Sequence, residues 1–220
     1  MLKNPVIFLP VFSEKDQTHR KQNISSGFCR FLFISTLFFC LFSVVWAAPL
    51  QKVSYDGQQK VQEYELKAIY LYNFLQFVQW PDSQLSLSKD GSVVIGIVGE
   101  SPFGEALEEL QANVRKNGMK PVRIIHYGPY HEGLNLRNCN LLFVSSSEKH
   151  NFSAIIADVM NAPVLTVAET ESFLSYGGMI SLVKNNEKIR WIINRPAVEK
   201  TGLRCSVQLL SIAVKVLGEP

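Results

Sequence analysis

Val93-Val94-Ile95-Gly96-Ile97-Val98 is six residues long and has no polar side chain. A run this short, apolar at every position, fits a strand covered on both faces, whereas a half-buried strand would alternate. Outward from it, residues 102–111 read as a helix, 122–126 as a second strand and 141–145 as a third. Residues 152–160 then read as a helix, 164–167 as a fourth strand and 170–175 as a short helix ahead of Gly177-Gly178. Strands apolar on both sides and separated by helices predict an α/β fold, a three-layer sandwich around a mostly parallel, Rossmann-like sheet.

Both ends depart from that rhythm. Within residues 63–80, EYELKAIYLYNFLQFVQW, the side chains Tyr64, Ala68, Leu71, Leu75 and Val78 recur at three- and four-residue steps, and Ile69, Tyr70, Phe74 and Phe77 widen the stripe. That spacing predicts a largely buried helix, ended by Pro81 because the residue before a proline avoids helical angles. Near the other end, residues 179–183 and 189–193 flank the polar stretch 184–188, a β-hairpin pattern. Residues 196–216 read as a final helix, with Leu203, Val207, Leu210, Val214 and Leu217 on one stripe.

Residues 31–46, FLFISTLFFCLFSVVW, carry no charge, follow Arg20, Lys21 and Arg30, and lead into Val45-Trp46-Ala47. A basic lead, an apolar stretch and small residues before the exit make a secretory signal with cleavage expected after Ala47. An uncleaved anchor is the alternative; in either case the remainder is exported from the cytoplasm. Phe38 and Phe39 occupy positions where a lipobox at Cys40 wants small residues, so lipidation is discounted. The expected organisation is a signal peptide over 1–47, a flexible leader over 48–62 and one α/β domain over 63–220.

Removing residues 1–47 takes away five basic and two acidic side chains, a surplus equal to the whole chain's net charge of +3. The exported remainder is neutral, which argues against nucleic-acid binding and against a polybasic membrane patch. Cys29 and Cys40 leave as well, so Cys139 and Cys205 remain. Two cysteines in an oxidising compartment permit one disulfide or two buried thiols, and sequence alone leaves both open.

The candidate chemistry is sparse. Gly96 to Gly104 resembles a phosphate-binding turn in outline, but its glycine spacing is not the dinucleotide fingerprint and no phosphate-loop lysine follows. It reads better as a tight turn with Ser101 capping the next helix and Pro102 as its first residue. His126 and His131, with Tyr127, Tyr130 and Glu132, have no third ligand at a recognised metal spacing. No Gly-x-Ser-x-Gly elbow is present, and Cys139 has no visible activating partner. No cofactor is expected. Glu105, Glu108 and Glu109 read as the solvated face of a helix. Lys184, Lys188, Arg190, Arg195, Lys200 and Arg204 crowd the C-terminal third, as a solvated surface or a partner-binding face. Tyr70, Tyr72, Phe74, Phe77 and Trp80 lie within eleven residues, more aromatics than one helix face buries, and the surplus suggests a protein contact.

Several stretches carry a resemblance. Tyr64-Glu65-Leu66-Lys67-Ala68, Leu71-Tyr72-Asn73-Phe74 and Phe77-Val78-Gln79-Trp80-Pro81 resemble the opening signature of the YfiR-like family of exported bacterial proteins. Val98-Gly99 to Phe103-Gly104, Cys139 to Val144, Pro163 to Val167, Phe173 with Gly177 to Ile180, and Ile189-Arg190 with Ile193-Asn194 follow in the family's order. The resemblance spans residues 64–217. It implies a periplasmic, non-enzymatic, usually dimeric three-layer α/β protein that restrains a membrane-bound diguanylate cyclase and so lowers cyclic di-GMP. It also implies an outer-membrane lipoprotein that draws such a repressor away. The family's type carries more cysteines, in disulfides; Cys139 matches one of them, while Ser146 stands near where its partner is sought, which leaves redox control without support. Family members also occur beside other sensor proteins.

The resulting expectation is a regulator, not an enzyme, that binds the periplasmic domain of an inner-membrane diguanylate cyclase or another sensor protein. Its interface is expected on the exposed part of the first helix and on the second hairpin arm, at Tyr70, Tyr72, Asn73, Phe77, Arg190 and Asn194. The first rival is a small-ligand sensor subunit acting with a sensor kinase. It would use a crevice near Gly99 to Gly104, at the carboxyl ends of the strands. The second rival is a hydrolase of unknown class.

Overall fold

The structure, a computed structural model, describes residues 55–81, 91–186 and 188–218. The signal segment 1–47 and the first part of the leader lie outside them. Helix α1 (Tyr55–Phe77) leads into the two-residue strand β1 (Val78–Gln79). Strand β2 (Val93–Val98), helix α2 (Ala106–Lys116) and strands β3 (Val122–Gly128) and β4 (Leu141–Val144) follow. A 3-10 turn over Ser146–Asn151 enters helix α3 (Phe152–Val159), and a second over Glu171–Tyr176 follows strand β5 (Leu165–Ala168). The hairpin is β6 (Ile180–Asn185) and β7 (Lys188–Asn194). Helix α4 (Arg195–Lys200), strand β8 (Arg204–Cys205), helix α5 (Val207–Ser211) and strand β9 (Lys215–Leu217) complete the chain.

Seven strands form one sheet in the order β3-β2-β4-β5-β6-β7-β9, and β1 pairs with β8 apart from it. Every pairing in the large sheet is parallel except the β6–β7 hairpin. The expected mostly parallel sheet is therefore present. Alternation along the strands divides the core in two. Val93, Ile95, Ile97, Leu141, Phe143, Leu165 and Val167 face α1 and α2, together with Leu71, Phe74 and Leu107. Val94, Val98, Leu142, Val144 and Ala168 face α3 and the β3–β4 connection, with Phe152, Ile155, Phe173 and Cys139. Each such Leu, Ile or Phe contributes roughly 1.5–3 kcal/mol by leaving water, so two apolar faces make three layers.

Asn140 joins the strands at their amino ends. Its side-chain oxygen accepts from the Val94 amide at 2.8 Å, its own amide donates to the Val94 carbonyl at 2.9 Å, and its carbonyl accepts from the Leu165 amide at 2.8 Å. One buried residue thereby sets the register of β2, β4 and β5.

Four boundaries differ from the sequence reading. The first helix begins at Tyr55 rather than Glu63, so residues 55–62 of the expected leader are helical turns. It ends at Phe77, because Val78 and Gln79 pair with Cys205 and Arg204. Helix α2 starts at Ala106, and Ser101 does not cap it: Gly104, at φ +54, makes the turn and the Ala106 amide bonds back to the Phe103 carbonyl. The expected helix over 196–216 is broken into α4, β8, α5 and β9. Gly202, at φ +78, stops the first helix, and Ser206 caps the second, its hydroxyl accepting from the Leu209 amide at 3.2 Å. Of the stripe drawn for one helix, Leu203 is buried whereas Val207 is 81% exposed.

Candidate functional site

In an open parallel sheet a ligand crevice forms where neighbouring strands send their connections to opposite faces. Here that point lies between β2, followed by α2 on one face, and β4, followed by α3 on the other. The chain fills it at Gly99. A Cβ added at Gly99 would stand 2.5 Å from Ser147 Oγ, 2.7 Å from Glu148 Cγ and 3.0 Å from Ser145 Cβ. The Glu100 amide donates to Ser147 Oγ at 3.0 Å, the Ser145 amide to the Val98 carbonyl, and buried Glu148 accepts from the Asn151 side chain at 2.8 Å. At Gly99 and Glu100 the crevice is packed with the protein's own polar side chains, which leaves open space only farther along, at Pro102 to Gly104.

Two surface grooves stand out among the described residues. The first, about 340 Å³, lies between the amino half of α1 and the turn before α2, with Tyr64, Phe103 and Pro102 against Glu65, Glu105 and Glu109. The second, about 490 Å³, is bounded by Arg195, Glu199, Gly202, Arg204 and Cys205. The second brings the Cys205 thiol near the Glu199 carboxylate, yet neither group is poised for catalysis. Arg195 donates to Glu199 at 2.7 Å on the exposed face of α4. Burial first, then Glu199, pushes the Cys205 thiol up to about 11, which leaves it protonated and a poor nucleophile.

His126, His131 and His150 are exposed. His126 stands 3.4 Å from Glu108, and His131 Nδ1 lies 3.0 Å from the Glu132 carbonyl. Among the described residues no group of three potential ligands is placed to hold a metal ion. Glu105, Glu108 and Glu109 lie on the solvated side of α2, as expected.

The cysteines lie on opposite sides of the sheet. Cys139 is buried in the α3-side core, its thiol donating to the Leu136 carbonyl at 3.2 Å, while Cys205 packs against the α1-side core. Neither is disulfide-bonded in this structure, so the bridge admitted by the cysteine count is not formed; a seven-stranded sheet separates the two cores. Burial pushes the Cys139 thiol up to about 12.

The expected interface residues separate in the same way. Tyr72 is buried, and its hydroxyl donates to the Lys120 carbonyl at 3.1 Å, so it is withdrawn as a contact residue. Asn194 is spent inside the chain: Oδ1 accepts from the Ala197 amide at 3.3 Å, capping α4, and Nδ2 donates to the Leu174 carbonyl at 3.4 Å. Tyr70 is half-buried, edge-on to Trp191 with centroids 5.2 Å apart, and Phe77 and Asn73 are also half-buried. The aromatic surplus of the first helix is thus largely covered by Trp191 on β7, which also meets Phe74 at 5.3 Å. Arg190 is exposed beside Trp191; burial pushes the Tyr70 hydroxyl of α1 up, and the Arg190 charge reaches it and opposes that effect.

Sequence reasoning missed Lys67. Its ammonium group is buried, 2.5 Å from Glu169 Oε2 and 2.6 Å from Glu63 Oε1, above the Tyr64 ring, whose hydroxyl donates to Glu169 at 3.0 Å. A lysine three residues after Tyr64 and four before Leu71, on the apolar stripe, was the available signal.

With this geometry in hand, residues 64–214 match the family model described as YfiR/HmsC-like. No curated protein matches the chain. Among solved structures, the chain is similar to the ABC domain in complex with L-Trp from Streptococcus pneumonia. That match has 12% identity and a TM-score of 0.42, covering 61% of this chain and 58% of that one. It is also similar to a conserved domain protein from Vibrio cholerae O1 biovar El Tor, with 13% identity and a TM-score of 0.47, covering 70% of this chain and 60% of the other. The chain therefore spans less than two thirds of either structure, and likeness at these values says nothing of function.

Proposed function

This chain belongs to the YfiR/HmsC-like family, and on that premise we propose that it is a non-catalytic periplasmic regulator that binds and restrains an inner-membrane diguanylate cyclase, lowering cyclic di-GMP. The observation that carries the reading is the family match across the folded part of the chain, residues 64–214. The crevice between β2 and β4, packed at Gly99 and Glu100, supports a surface-binding protein over a ligand sensor. Among the described residues no helix is long and apolar enough to cross a membrane, which suits a protein that acts on a membrane partner from outside.

Restraint by binding has an energetic requirement. The regulator must bind the inactive state of the cyclase's periplasmic domain more tightly than the active state, since equal affinity shifts nothing. A tenfold difference, about 1.4 kcal/mol, shifts the two-state ratio tenfold at saturation. A further partner, such as an outer-membrane lipoprotein, would relieve restraint by competing for the same protein, and a homodimer would double the contact.

Deletion of the gene tests the reading. Cyclic di-GMP and surface attachment should rise in the deletion strain and return when the exported protein is restored. Unchanged cyclic di-GMP would remove the cyclase as partner and favour another membrane sensor.

A further inference from the structure

We infer that the outer face of the β7–β9 corner is a docking surface for an acidic, extended segment of a partner protein, which adds along the open edge of β9. The proposal rests on the repressor reading only for where the partner stands, outside the cytoplasm. The surface itself follows from strand register. Trp191 and Ile193 turn inward with Ile180 and Leu182, so Lys188, Arg190 and Ile192 share the opposite face. Ile192 is in register with Lys215, so two strands, β7 and β9, bring Lys188, Arg190 and Lys215 around buried Ile192. All three are exposed.

Charge gives the partner's sign. Residues 180–220 carry seven basic and three acidic side chains, whereas residues 48–179 carry ten and fourteen. A neutral exported chain thus has a positive end, and that field attracts and orients an acidic surface. The sheet edge gives the partner's form. Strand β9 is the last strand in the order and pairs only with β7 among the described residues. Such an edge presents backbone donors and acceptors that an added strand satisfies. Leading into it, Val207, Ile212 and Val214 are 81%, 48% and 47% exposed, half of the exposed large apolar side chains among the described residues. The platform is held firmly: the Val214 amide donates to the Trp191 carbonyl at 2.9 Å, and the Ser206 amide to the Phe77 carbonyl at 2.8 Å. An anionic lipid surface would engage the cations but leave the backbone edge unused, so a peptide partner accounts for more of the surface.

The test places a photo-crosslinking amino acid at Arg190 or Lys215 of the full exported chain in its own cells, with Glu108 and Arg123 as control positions, and sequences the adducts. The expected result is an adduct at 190 and 215 only, on an acidic extracytoplasmic peptide, lost by at least tenfold when Lys188→Glu, Arg190→Glu and Lys215→Glu are combined around the remaining probe position. Circular dichroism of the reversed variant checks that it is folded, as surface substitutions should leave it. An adduct on an acidic segment of a protein other than a cyclase would keep the surface and assign it to a different partner, the cyclase reading being decided by the deletion strain. Equal adducts at the control positions, none at 190 and 215, adducts to lipid alone, or adducts indifferent to charge reversal would each overturn the surface, even where the cyclase is still restrained.

Discussion

Lys67 and Glu169, 102 residues apart, form an ion pair at 2.5 Å, buried at its lysine end, that ties the middle of α1 to the carboxyl end of β5. Glu63, one turn earlier, adds a second carboxylate at 2.6 Å. Removing one partner of a buried pair leaves the other charge without its counter-ion, and that cost exceeds the net gain of the pair. Lys67→Ala is therefore expected to destabilise by about 3 kcal/mol, on the order of 6–12 °C in Tm for a chain of this size. Combining Lys67→Met with Glu169→Leu should cost less than the sum of the two singles. Thermal unfolding of the four proteins in the cycle measures it, and strict additivity would mean that the pair is not coupled.

Gly96 carries a second, apolar constraint. A Cβ there would meet Tyr127 Cε2 at 2.7 Å and Cys139 Sγ at 3.1 Å. Gly96→Ala should destabilise by about 1–3 kcal/mol through overpacking in the middle of β2. Adding Cys139→Ala should recover part of that loss by giving the new methyl room. Denaturant midpoints at unchanged m-value would show it; a neutral Gly96→Ala would mean that the Tyr127 ring moves aside freely.

Most of the sheet was legible because its strands are covered on both faces, so burial alone writes the signal: Val93–Val98 and Leu141–Val144 are apolar at every position. Residues 196–216 were misread for a physical reason. Leu203, Val207, Leu210 and Val214 fall at helical spacing by coincidence, while Gly202 and Ser206, small local signals, decide the breaks. The partner of the first helix's aromatics was not legible, because helical periodicity does not reveal that Trp191, far along the chain, packs against Tyr70 and Phe74. Lys67 and Glu169 find each other only through the fold.

The thiols should stay unbridged after export. Cys139 and Cys205, on opposite faces of the sheet, should give unreduced protein the mass of two unbridged thiols, and both should resist alkylation at pH 8 until the protein is unfolded. Burial raises the folded-state values from an ordinary 9.0 to about 12 for Cys139 and about 11 for Cys205. The native state thus holds these protons more firmly, and the stability this gives is complete below about pH 9 and lost as pH climbs through the raised values. Unfolding measured between pH 9 and 12 should fall less steeply in Cys139→Ala than in the parent chain. Parallel slopes would mean that the thiol is not the group that titrates.

Export should remove the apolar leader. The Val45-Trp46-Ala47 exit predicts a mature chain beginning at Ala48. Amino-terminal sequencing of the periplasmic fraction checks this, and an intact leader in the membrane fraction would establish an anchored protein instead.

Restraint of a membrane cyclase is measured most directly by reconstitution. The diguanylate cyclase that responds to deletion of the gene would be placed in vesicles with its periplasmic domain outward and GTP enclosed, and the mature protein added outside. Cyclic di-GMP formation should fall in a saturable way, with no nucleotide turned over by the added protein itself. Formation unchanged at saturating protein would contradict the account.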